Sequence, residues 1–367
     1  MANPQPEDFP WTVLSKQVPW YGAATGYYGM LPEALREIGI ACDVITPRSG
    51  LAVRLAGKCW SWLNGLPVRH QSAAFAEWSF LRRFERRRAP GLMLALEDNL
   101  PLLSLRRFAR GAPRRLIGVI HYPAEFWTEA MLRNLSRLRS ALVLYRADTA
   151  FFERYVGPGR VRFVPHGVDL VRFAPGEPPL SGGSAAPRFL AVGQFGRDFP
   201  LLLAVFRRLR EMLPECELDI VGVHHAAAEQ PVRELAALPG VTIHRQCSHE
   251  QLLELYRRTT LMLLPLRACG ANNALVEALA CGVPVVATDT DGVRDYGGET
   301  VFPVVPPGDA AAMAGEVIAL VSDGARRRAI GFAGRQFAEG NLGWRHVALK
   351  HQEAVRGLCA DEPGVGS

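Results

Sequence analysis

The chain has 367 residues, of which 49% are hydrophobic and 21% are charged, and its formal net charge is +6. This apolar content exceeds what one core of about 150 residues requires, so we expect two packed domains. No apolar run approaches the roughly 20 residues needed to span a bilayer, and the first ten residues are acidic and proline-rich, which argues against an integral or signal-directed protein.

Short apolar runs alternate with helical patterns along the whole chain. The predicted strands lie near Val13 and at residues 42–46, 92–96, 116–120, 142–145, 161–164, 189–192, 218–223, 241–243, 261–264, 283–288 and 301–304. Fully apolar strands separated by helices indicate parallel sheets covered on both faces. Each half of the chain is therefore predicted to be a doubly wound α/β domain, which binds ligands at the carboxyl ends of its strands.

A stretch rich in turn formers, PGEPPLSGGS at 175–184, separates the two sets of strands. Such a stretch without apolar periodicity is typical of a linker. The predicted organisation is an N-terminal domain over 1–175, a linker over 176–187, a C-terminal domain over 188–345 and a final helix over 346–367 that packs back on the N-terminal domain before the tail. We expect the ligand site in a cleft between the domains.

Two segments of the N-terminal half follow predicted strands. The loop Trp20 to Tyr28, which contains Gly22, stands between a strand and a helix. A glycine-rich loop in this place can face a phosphate or can simply permit tight packing. His121 closes the run LIGVI, so its polar ring is predicted at the carboxyl edge of a buried strand.

In the C-terminal half, the strand ending at Val192 is followed by Gly193, Gln194, Phe195, Gly196 and Arg197, and then by an amphipathic helix. Glycines let a backbone approach a ligand closely, and an arginine near a helix start suits a phosphate. A plain tight turn fits the same residues.

The segment Cys269 to Thr288 reads as a glycine loop, a helix, a glycine cap and a second buried strand. A helix that begins at 271–273 would present free N–H groups to an anion such as a pyrophosphate. Glu277 follows one turn later among apolar residues, where a carboxylate needs a partner. Ribose hydroxyls would serve, and so would a salt bridge within the fold.

The run Asn273 to Thr288, with 291–295 after it, resembles the donor-site signature of the retaining group 1 glycosyltransferases, glycosyltransferase family 4 with the GT-B fold. Similar segments follow the family's order at 164–169, 173–175, 192–197, 218–222, 250–256, 263–265 and 305–309. The resemblance implies two Rossmann-like domains facing across a deep cleft. It also implies transfer of a sugar from a nucleotide-sugar donor to a hydroxyl acceptor, with retention and without a metal or other cofactor.

The resemblance also implies residue roles. Glu277 would hold the donor's ribose, and Arg197, beside Gly193, would grip the diphosphate and take part in catalysis. Four residues would hold the sugar and the phosphates: Gly270, Ala271, Asn272 and Asn273. From the N-terminal domain, the loop with Gly22 would reach toward the donor phosphates, and His121 would face the donor sugar as a catalytic residue.

One position departs from the family pattern. The family has two glutamates eight residues apart, and Cys269 occupies the position of the first, which usually orients the donor sugar. We hypothesise that Asn272 or Asn273 supplies the missing hydrogen bonds. Two alternatives stay open at this point: a nucleotide-sugar epimerase of the same fold, and a non-catalytic nucleotide-sugar-binding protein at the membrane.

Positive charge is concentrated in the N-terminal half. Residues 1–175 contain 24 Lys and Arg against 14 Asp and Glu, or +10, whereas 176–367 contain 18 against 22, or −4, and the two sum to +6. Basic clusters occur at 82–83, 86–88, 106–107, 110 and 114–115. Together with an amphipathic, tryptophan-bearing segment at 51–66, they favour peripheral contact with an anionic membrane. A solvated arginine-rich surface is the alternative, and no nucleic-acid recognition motif accompanies the charge.

Cysteine and histidine usage bears on compartment and metals. Seven cysteines are scattered without a Cys-x-x-Cys pair, which argues against a disulfide framework and a structural zinc site. His224 and His225 lack a third ligand at a suitable spacing. We therefore expect a cytoplasmic chain with no metal site.

Overall fold

The computed structural model describes residues 10–15, 26–47, 50–63, 71–85, 90–94, 115–136, 138, 140–176, 186–223 and 229–360. The chain forms two compact units: the first comprises residues 1–167 with 344–367, and the second comprises 168–343. Across the described residues, no helix combines the length and the apolar character that crossing a bilayer requires.

The first unit is built on a six-stranded sheet. Its strands are β1 (Trp11–Leu14), β2 (Cys42–Ile45), β3 (Gly91–Met93), β4 (Leu116–Ile120), β5 (Ser140–Val143) and β6 (Val161–Phe163). Its helices are α1 (Tyr27–Glu37), α2 (Leu51–Leu63), α3 (Gln71–Glu85), α4 (Glu129–Leu135) and α5 (Thr149–Val156). The strand order is β2-β1-β3-β4-β5-β6, and every pairing is parallel.

The sheet of the first unit is apolar on both faces, as its sequence predicts. Every residue of β4 and β5 is buried. Side chains of α3, including Phe80 and Phe84, pack in the same core as Leu116 and Ile120. A parallel sheet covered in this way presents its functional side chains only at the strand ends.

The second unit repeats this architecture. Its strands are β7 (Arg188–Val192), β8 (Glu217–Val221), β9 (Val241–His244), β10 (Leu261–Leu264), β11 (Val285–Thr288) and β12 (Val304–Val305). Its helices are α6 (Phe199–Met212), α7 (Gln230–Ala236), α8 (His249–Arg258), α9 (Asn273–Ala280), α10 (Asp291–Arg294), α11 (Ala310–Ser322) and α12 (Gly324–Asn341). The chain then returns to the first unit as α13 (Trp344–Ala360).

The strand order of the second unit, β12-β11-β10-β7-β8-β9, determines where a ligand can bind. The chain runs outward from β7 through β8 to β9, and then crosses back to β10 on the other side of β7. The strand order reverses between β7 and β10, and open parallel sheets bind ligands in the crevice outside the carboxyl ends of the strands at such a point. The two loops to inspect are therefore those that follow β7 and β10.

The predicted fold class, two doubly wound α/β domains, is confirmed by these two parallel sheets. Helix α8 begins at a capping box in which Ser248 and Gln251 are reciprocal partners. The strand predicted at 301–304 exists as β12 but begins only at Val304, because 297–302 form a turn in which the N–H of Val301 donates to Gly297 O at 2.8 Å.

The predicted domain limits compare with the two units as follows. The second unit begins at Val168, ahead of the predicted linker, whose residues 177–185 lie outside the described part. Helix α13 packs against α1, where the Tyr27 hydroxyl lies 2.6 Å from His351 Nε2. The acceptor and donor roles assigned to the two domains stay predictions.

Candidate active site

The loops that follow β7 and β10 are joined by backbone hydrogen bonds. The N–H of Arg267 donates to Gly196 O at 2.9 Å, and the N–H of Asp198 donates to Pro265 O at 3.0 Å. Both loops therefore form one continuous wall of the crevice at the switch in strand order.

Arg197 is the buried cation of this wall, with 8% of its surface exposed. Its Nε and Nη2 donate to Val192 O at 2.9 and 2.6 Å, and its Nη1 donates to Phe195 O at 3.1 Å. Nη2 also donates to Asn272 Oδ1 at 3.2 Å. These three acceptors are neutral oxygens, and together they hold the guanidinium in place.

Both glycines of the first loop are required by its shape. Gly193 has φ +89° and Gly196 has φ +67°, a region that disfavours side chains. A Cβ on Gly193 would lie 2.9 Å from Arg197 Nη2, and one on Gly196 would collide with the carbonyl oxygen of Ala268. The loop is thus a tight turn whose geometry also sets the position of Arg197.

Asn272 caps α9 and connects the two loops. Its Oδ1 accepts from Leu275 N–H at 3.3 Å as well as from Arg197. Its Nδ2 lies 3.8 Å from Cys269 Sγ. The amide of Asn272 is therefore already engaged, which leaves Asn273, the first residue of α9, as the better candidate to replace the family's first glutamate.

Cys269 and Gly270 lie directly against the short helix α10. A Cβ on Gly292 would collide with the carbonyl oxygen of Cys269, so glycine allows this close contact. The Cys269 thiol is 2.9 Å from Gly270 O, and burial raises its pKa to about 11. At neutral pH this position carries no charge, unlike a glutamate.

Glu277 lies on the second turn of α9 and is 6% exposed. Its Oε2 accepts a hydrogen bond of 2.9 Å from the hydroxyl of Tyr256 on α8. Burial raises the pKa of Glu277 to about 8, against the opposing effects of Tyr256 and of the positive charge of Arg172. Glu277 forms no ion pair with any residue that the structure describes, and its observed partner is the neutral hydroxyl of Tyr256.

His121 follows β4 in the first unit, as predicted, and lies among aromatic rings. The ring of Tyr27 meets it edge-on at 5.1 Å and 88°, and the ring of Tyr28 lies at 5.3 Å. Both ring nitrogens of His121 are shielded from solvent. Access of a ligand to those nitrogens therefore requires movement of neighbouring groups.

Two further histidines surround Tyr27. His351 Nδ1 lies 2.7 Å from Val347 O, and His166 Nδ1 lies 2.7 Å from Gly167 O. Burial lowers the pKa of His351 to about 4 and that of His166 to about 3. Both imidazoles are therefore neutral at physiological pH, and each donates one N–H to a backbone carbonyl.

Several predicted residues cannot be compared with the structure. Gly22 lies outside the described residues, as do His224, His225 and the basic clusters at 86–88, 106–107, 110 and 114. The predicted site residues of the second unit lie at the switch in strand order or on α9: Gly193, Arg197, Gly270, Ala271, Asn272, Asn273 and Glu277. Sequence reasoning gave Tyr256 no role of its own, although this residue closes the segment 250–256 that resembles the family and lies on the buried face of α8.

Comparison with known families agrees with this geometry. Residues 186–323 match the family model described as glycosyl transferases group 1. The second unit is a group 1 glycosyltransferase domain. The match covers the loop after β7, the loop after β10 and helices α8 and α9, so the candidate residues of this domain all lie within it.

Named relatives are similar over part of the chain. The D-inositol 3-phosphate glycosyltransferase 1 of Catenulispora acidiphila is 32% identical over 206 residues, which is 51% of this chain and 49% of that protein. The GDP-mannose-dependent alpha-(1-6)-phosphatidylinositol monomannoside mannosyltransferase of Mycolicibacterium smegmatis is 27% identical over 286 residues, covering 70% and 74% of the two chains. The chain thus spans about half the length of the first of these relatives.

Solved structures extend the similarity to both units. Sucrose-phosphate synthase of Thermosynechococcus elongatus aligns with a TM-score of 0.73 at 19% identity, covering 96% of this chain and all of the other. HepE of Anabaena, in complex with UDP and glucose, aligns with a TM-score of 0.68 at 14% identity, covering 95% and 99%. At these identities the similarity shows the fold alone, which is GT-B.

Proposed function

We propose that this chain transfers a sugar from a nucleotide-sugar donor to a hydroxyl acceptor on a glycan, a glycolipid or a lipid-linked precursor. The glycosyltransferase domain holds the donor. In this proposal the reaction needs neither a metal nor a further cofactor, and it retains the configuration of the anomeric carbon.

One observation carries this proposal: the buried Arg197 is hydrogen-bonded to Asn272, which caps α9, and the buried carboxyl of Glu277 lies on the second turn of the same helix. Arg197 and the first turn of α9 offer positive charge to a diphosphate, while Glu277 offers an acceptor to ribose hydroxyls. The three groups match the successive parts of a nucleoside diphosphate.

The proposed chemistry is electrostatic. The bond between the anomeric carbon and the diphosphate oxygen breaks, and its electron pair goes to the diphosphate. Arg197 and the N–H groups near Asn273 stabilise the negative charge that develops there. The acceptor oxygen bonds to the anomeric carbon from the same face, and its proton passes to the departing diphosphate oxygen. Retention is tested by NMR of the product, and an inverted anomer would contradict it.

The names of similar proteins support this class of donor without selecting the base. One relative is named as GDP-mannose-dependent, and HepE is solved with UDP-glucose. His121 belongs to the proposal as the residue of the first unit that faces the donor sugar, and Gly22 as part of the loop near the phosphates. The donor base and sugar are selected by the shape of the pocket and by one or two of its side chains.

The first experiment is calorimetric titration of UDP, GDP, ADP, CDP and dTDP into the wild type and Glu277→Ala. We expect one nucleotide to bind, and we expect the variant to lose more than about 1 kcal/mol of binding free energy because a buried acceptor is removed. If no nucleotide binds the wild type, the donor-site assignment fails.

Assays of donor conversion with and without an acceptor distinguish the proposed transferase from a non-catalytic binding protein and from an epimerase. The replacement of the family's first glutamate by the uncharged Cys269 favours, as second candidate, a non-catalytic nucleotide-sugar-binding protein. Transfer to an added acceptor excludes that candidate. An epimerase, which the relatives' names do not favour, would instead convert the donor with no acceptor present.

We also propose that the first unit contacts an anionic membrane from the cytoplasm through α2. Leu51, Leu55 and Trp62 are 69%, 54% and 78% exposed, at spacings that place them along one side of the helix. Arg54 and Lys58 are exposed beside them. Apolar side chains flanked by cations are typical of a helix that lies in a membrane interface.

Cosedimentation with vesicles tests this contact. We expect the wild type to sediment with phosphatidylcholine vesicles containing phosphatidylglycerol, and less with phosphatidylcholine alone. Trp62→Ser should reduce sedimentation, whereas Phe332→Ser, which removes a side chain that is 64% exposed on α12, should not. Equal loss in the two variants would point to general hydrophobic adsorption.

A further inference from the structure

Tyr256 forms a buried hydrogen bond with Glu277, and the proposed function gives this tyrosine no role. Tyr256 is completely buried on α8, and Glu277 lies opposite it on α9. The phenol oxygen is 2.9 Å from Glu277 Oε2 and 3.3 Å from Ala274 O. A phenol has one hydrogen to donate, and the shorter contact, to a carboxylate oxygen, is the stronger acceptor.

The two oxygens of the Glu277 carboxyl have different surroundings. Oε2 is bound by Tyr256, whereas no described residue hydrogen-bonds Oε1. The other ionisable groups that act on this carboxyl or feel its charge are Arg172, which favours its charged form, and the thiol of Cys281. One oxygen is thus fixed within the fold while the other remains available.

We propose that Tyr256 is a positioning residue of the donor site, whose hydroxyl fixes one oxygen of Glu277 so that the other accepts from the ribose hydroxyls. This inference rests on the proposed function, in which Glu277 holds the ribose. Tyr256 itself does not touch the donor.

The hydrogen bond has two consequences for the carboxyl. It restrains the rotation of the side chain, which otherwise has several rotamers on the helix. It also favours the charged form, opposing the effect of burial on the pKa of Glu277. A charged carboxylate accepts hydrogen bonds from both ribose hydroxyls, whereas a protonated carboxyl would compete as a donor.

If Tyr256 only stabilised the fold, its substitution would affect ligands with and without ribose hydroxyls alike. Two ligands that differ only in these hydroxyls therefore distinguish a structural role from a positioning role. The pair is the nucleoside diphosphate that binds best to the wild type and its 2′,3′-dideoxy analogue, which lacks the hydroxyls that Glu277 would hold. Both are titrated into the full-length wild type, Tyr256→Phe and Glu277→Gln.

We expect Tyr256→Phe to weaken binding of the nucleoside diphosphate by about threefold to tenfold, the effect of one hydrogen bond. Binding of the dideoxy analogue should be unchanged. In the Glu277→Gln background, adding Tyr256→Phe should produce a smaller loss than it does alone, because the hydroxyl acts through the carboxylate.

Tyr145→Phe is the matched control. Tyr145 is also buried, and its hydroxyl donates to Asp148 Oδ2 at 2.9 Å in the first unit. The same chemical deletion there should leave both affinities unchanged. If Tyr256→Phe does not fold, 3-fluorotyrosine at position 256 keeps the packing but changes the strength of the donor, and the ratio of the two affinities should change.

Four outcomes would contradict the positioning role or the proposed function beneath it. Equal weakening of both ligands by Tyr256→Phe, or no weakening of either, overturns the positioning role. An unchanged affinity ratio with 3-fluorotyrosine overturns it as well. Failure of the wild type to bind any nucleoside diphosphate instead overturns the proposed function on which the inference rests.

Discussion

The two units bury polar groups in opposite ways. The glycosyltransferase domain buries two ionisable side chains that are hydrogen-bonded to neutral groups. Arg197 donates to backbone carbonyl oxygens, and Glu277 accepts from the hydroxyl of Tyr256. The first unit instead buries two histidines beside Tyr27, His166 and His351, and burial lowers the pKa of both so that they are neutral. The comparison favours the second unit as the place of charge recognition in the proposed donor site, whereas His166 and His351 pack as neutral rings around Tyr27.

The largest expected effect is that of low pH, which should change the stability of the two units in opposite directions. The pKa of His166 and His351 is lowered by burial, so their contribution to stability is present above pH 6.5 and is lost as the pH falls toward 4. The loss is about 1.4 kcal/mol per pH unit for each histidine. The pKa of Glu277 is raised, so its contribution instead grows as the pH falls from 8 to 4.5.

Hydrogen exchange of backbone amides can measure the stability of each unit separately. Between pH 7 and pH 5, after correction for intrinsic exchange, amides of β4 and β5 should lose more protection than those of β10 and β11. His351→Gln should reduce this acid sensitivity. Equal loss of protection in both units would contradict the contrast.

Substitution of Arg197 should have the next largest effect. Arg197→Ala removes a charged donor from the diphosphate site, so binding of a nucleoside diphosphate should weaken by about tenfold to a hundredfold. Binding of the corresponding nucleoside should change little. Arg197→Lys should recover only part of the loss, because one ammonium group cannot bond to Val192 O and Asn272 Oδ1 in the same way.

A control for Arg197→Ala is Arg258→Ala, which removes an arginine paired with Asp219 elsewhere in the same domain. This variant should keep the affinity for nucleotides. Calorimetry supplies all these affinities. A nucleoside that loses as much affinity as the diphosphate would mean that Arg197 supports the loop rather than the phosphates.

The smallest expected effect is the release of a proton when a nucleotide binds. Because the pKa of Glu277 is about 8 in the free protein, the carboxyl is largely protonated at pH 7, and a ribose that requires the carboxylate should release up to one proton on binding. Affinity should therefore rise with pH up to about 8 and then level off. Titration in buffers of different ionisation enthalpy measures the release, which Glu277→Gln should abolish.

Much of the donor site could be predicted because its residues lie close to strand ends and to one helix start. Arg197, Asn272 and Glu277 each stand at a fixed offset from such a point. Their partners could not be predicted in the same way. Tyr256 is 21 residues from Glu277, and Tyr27 is 324 residues from His351, so only the packing of separate helices brings each pair together.

The turn at 297–302 shows another limit of the sequence. Its valine-rich end predicts a strand, but Glu299 takes φ 67° and Gly297 takes φ 99°, which reverse the chain. The preference for strand is overridden by a turn that packs Phe302 into the core. The fold class tolerates such errors because it depends on the order of the longer strands.

The hydrogen bonds of Arg197 affect how fast a ligand binds and leaves. Four bonds orient the guanidinium before any nucleotide arrives, so the conformational entropy of the side chain is lost during folding rather than during binding. Association then needs little rearrangement of this loop. Affinity differences among nucleotides should consequently appear in their dissociation rates, and residence time becomes the quantity by which this loop selects its ligand.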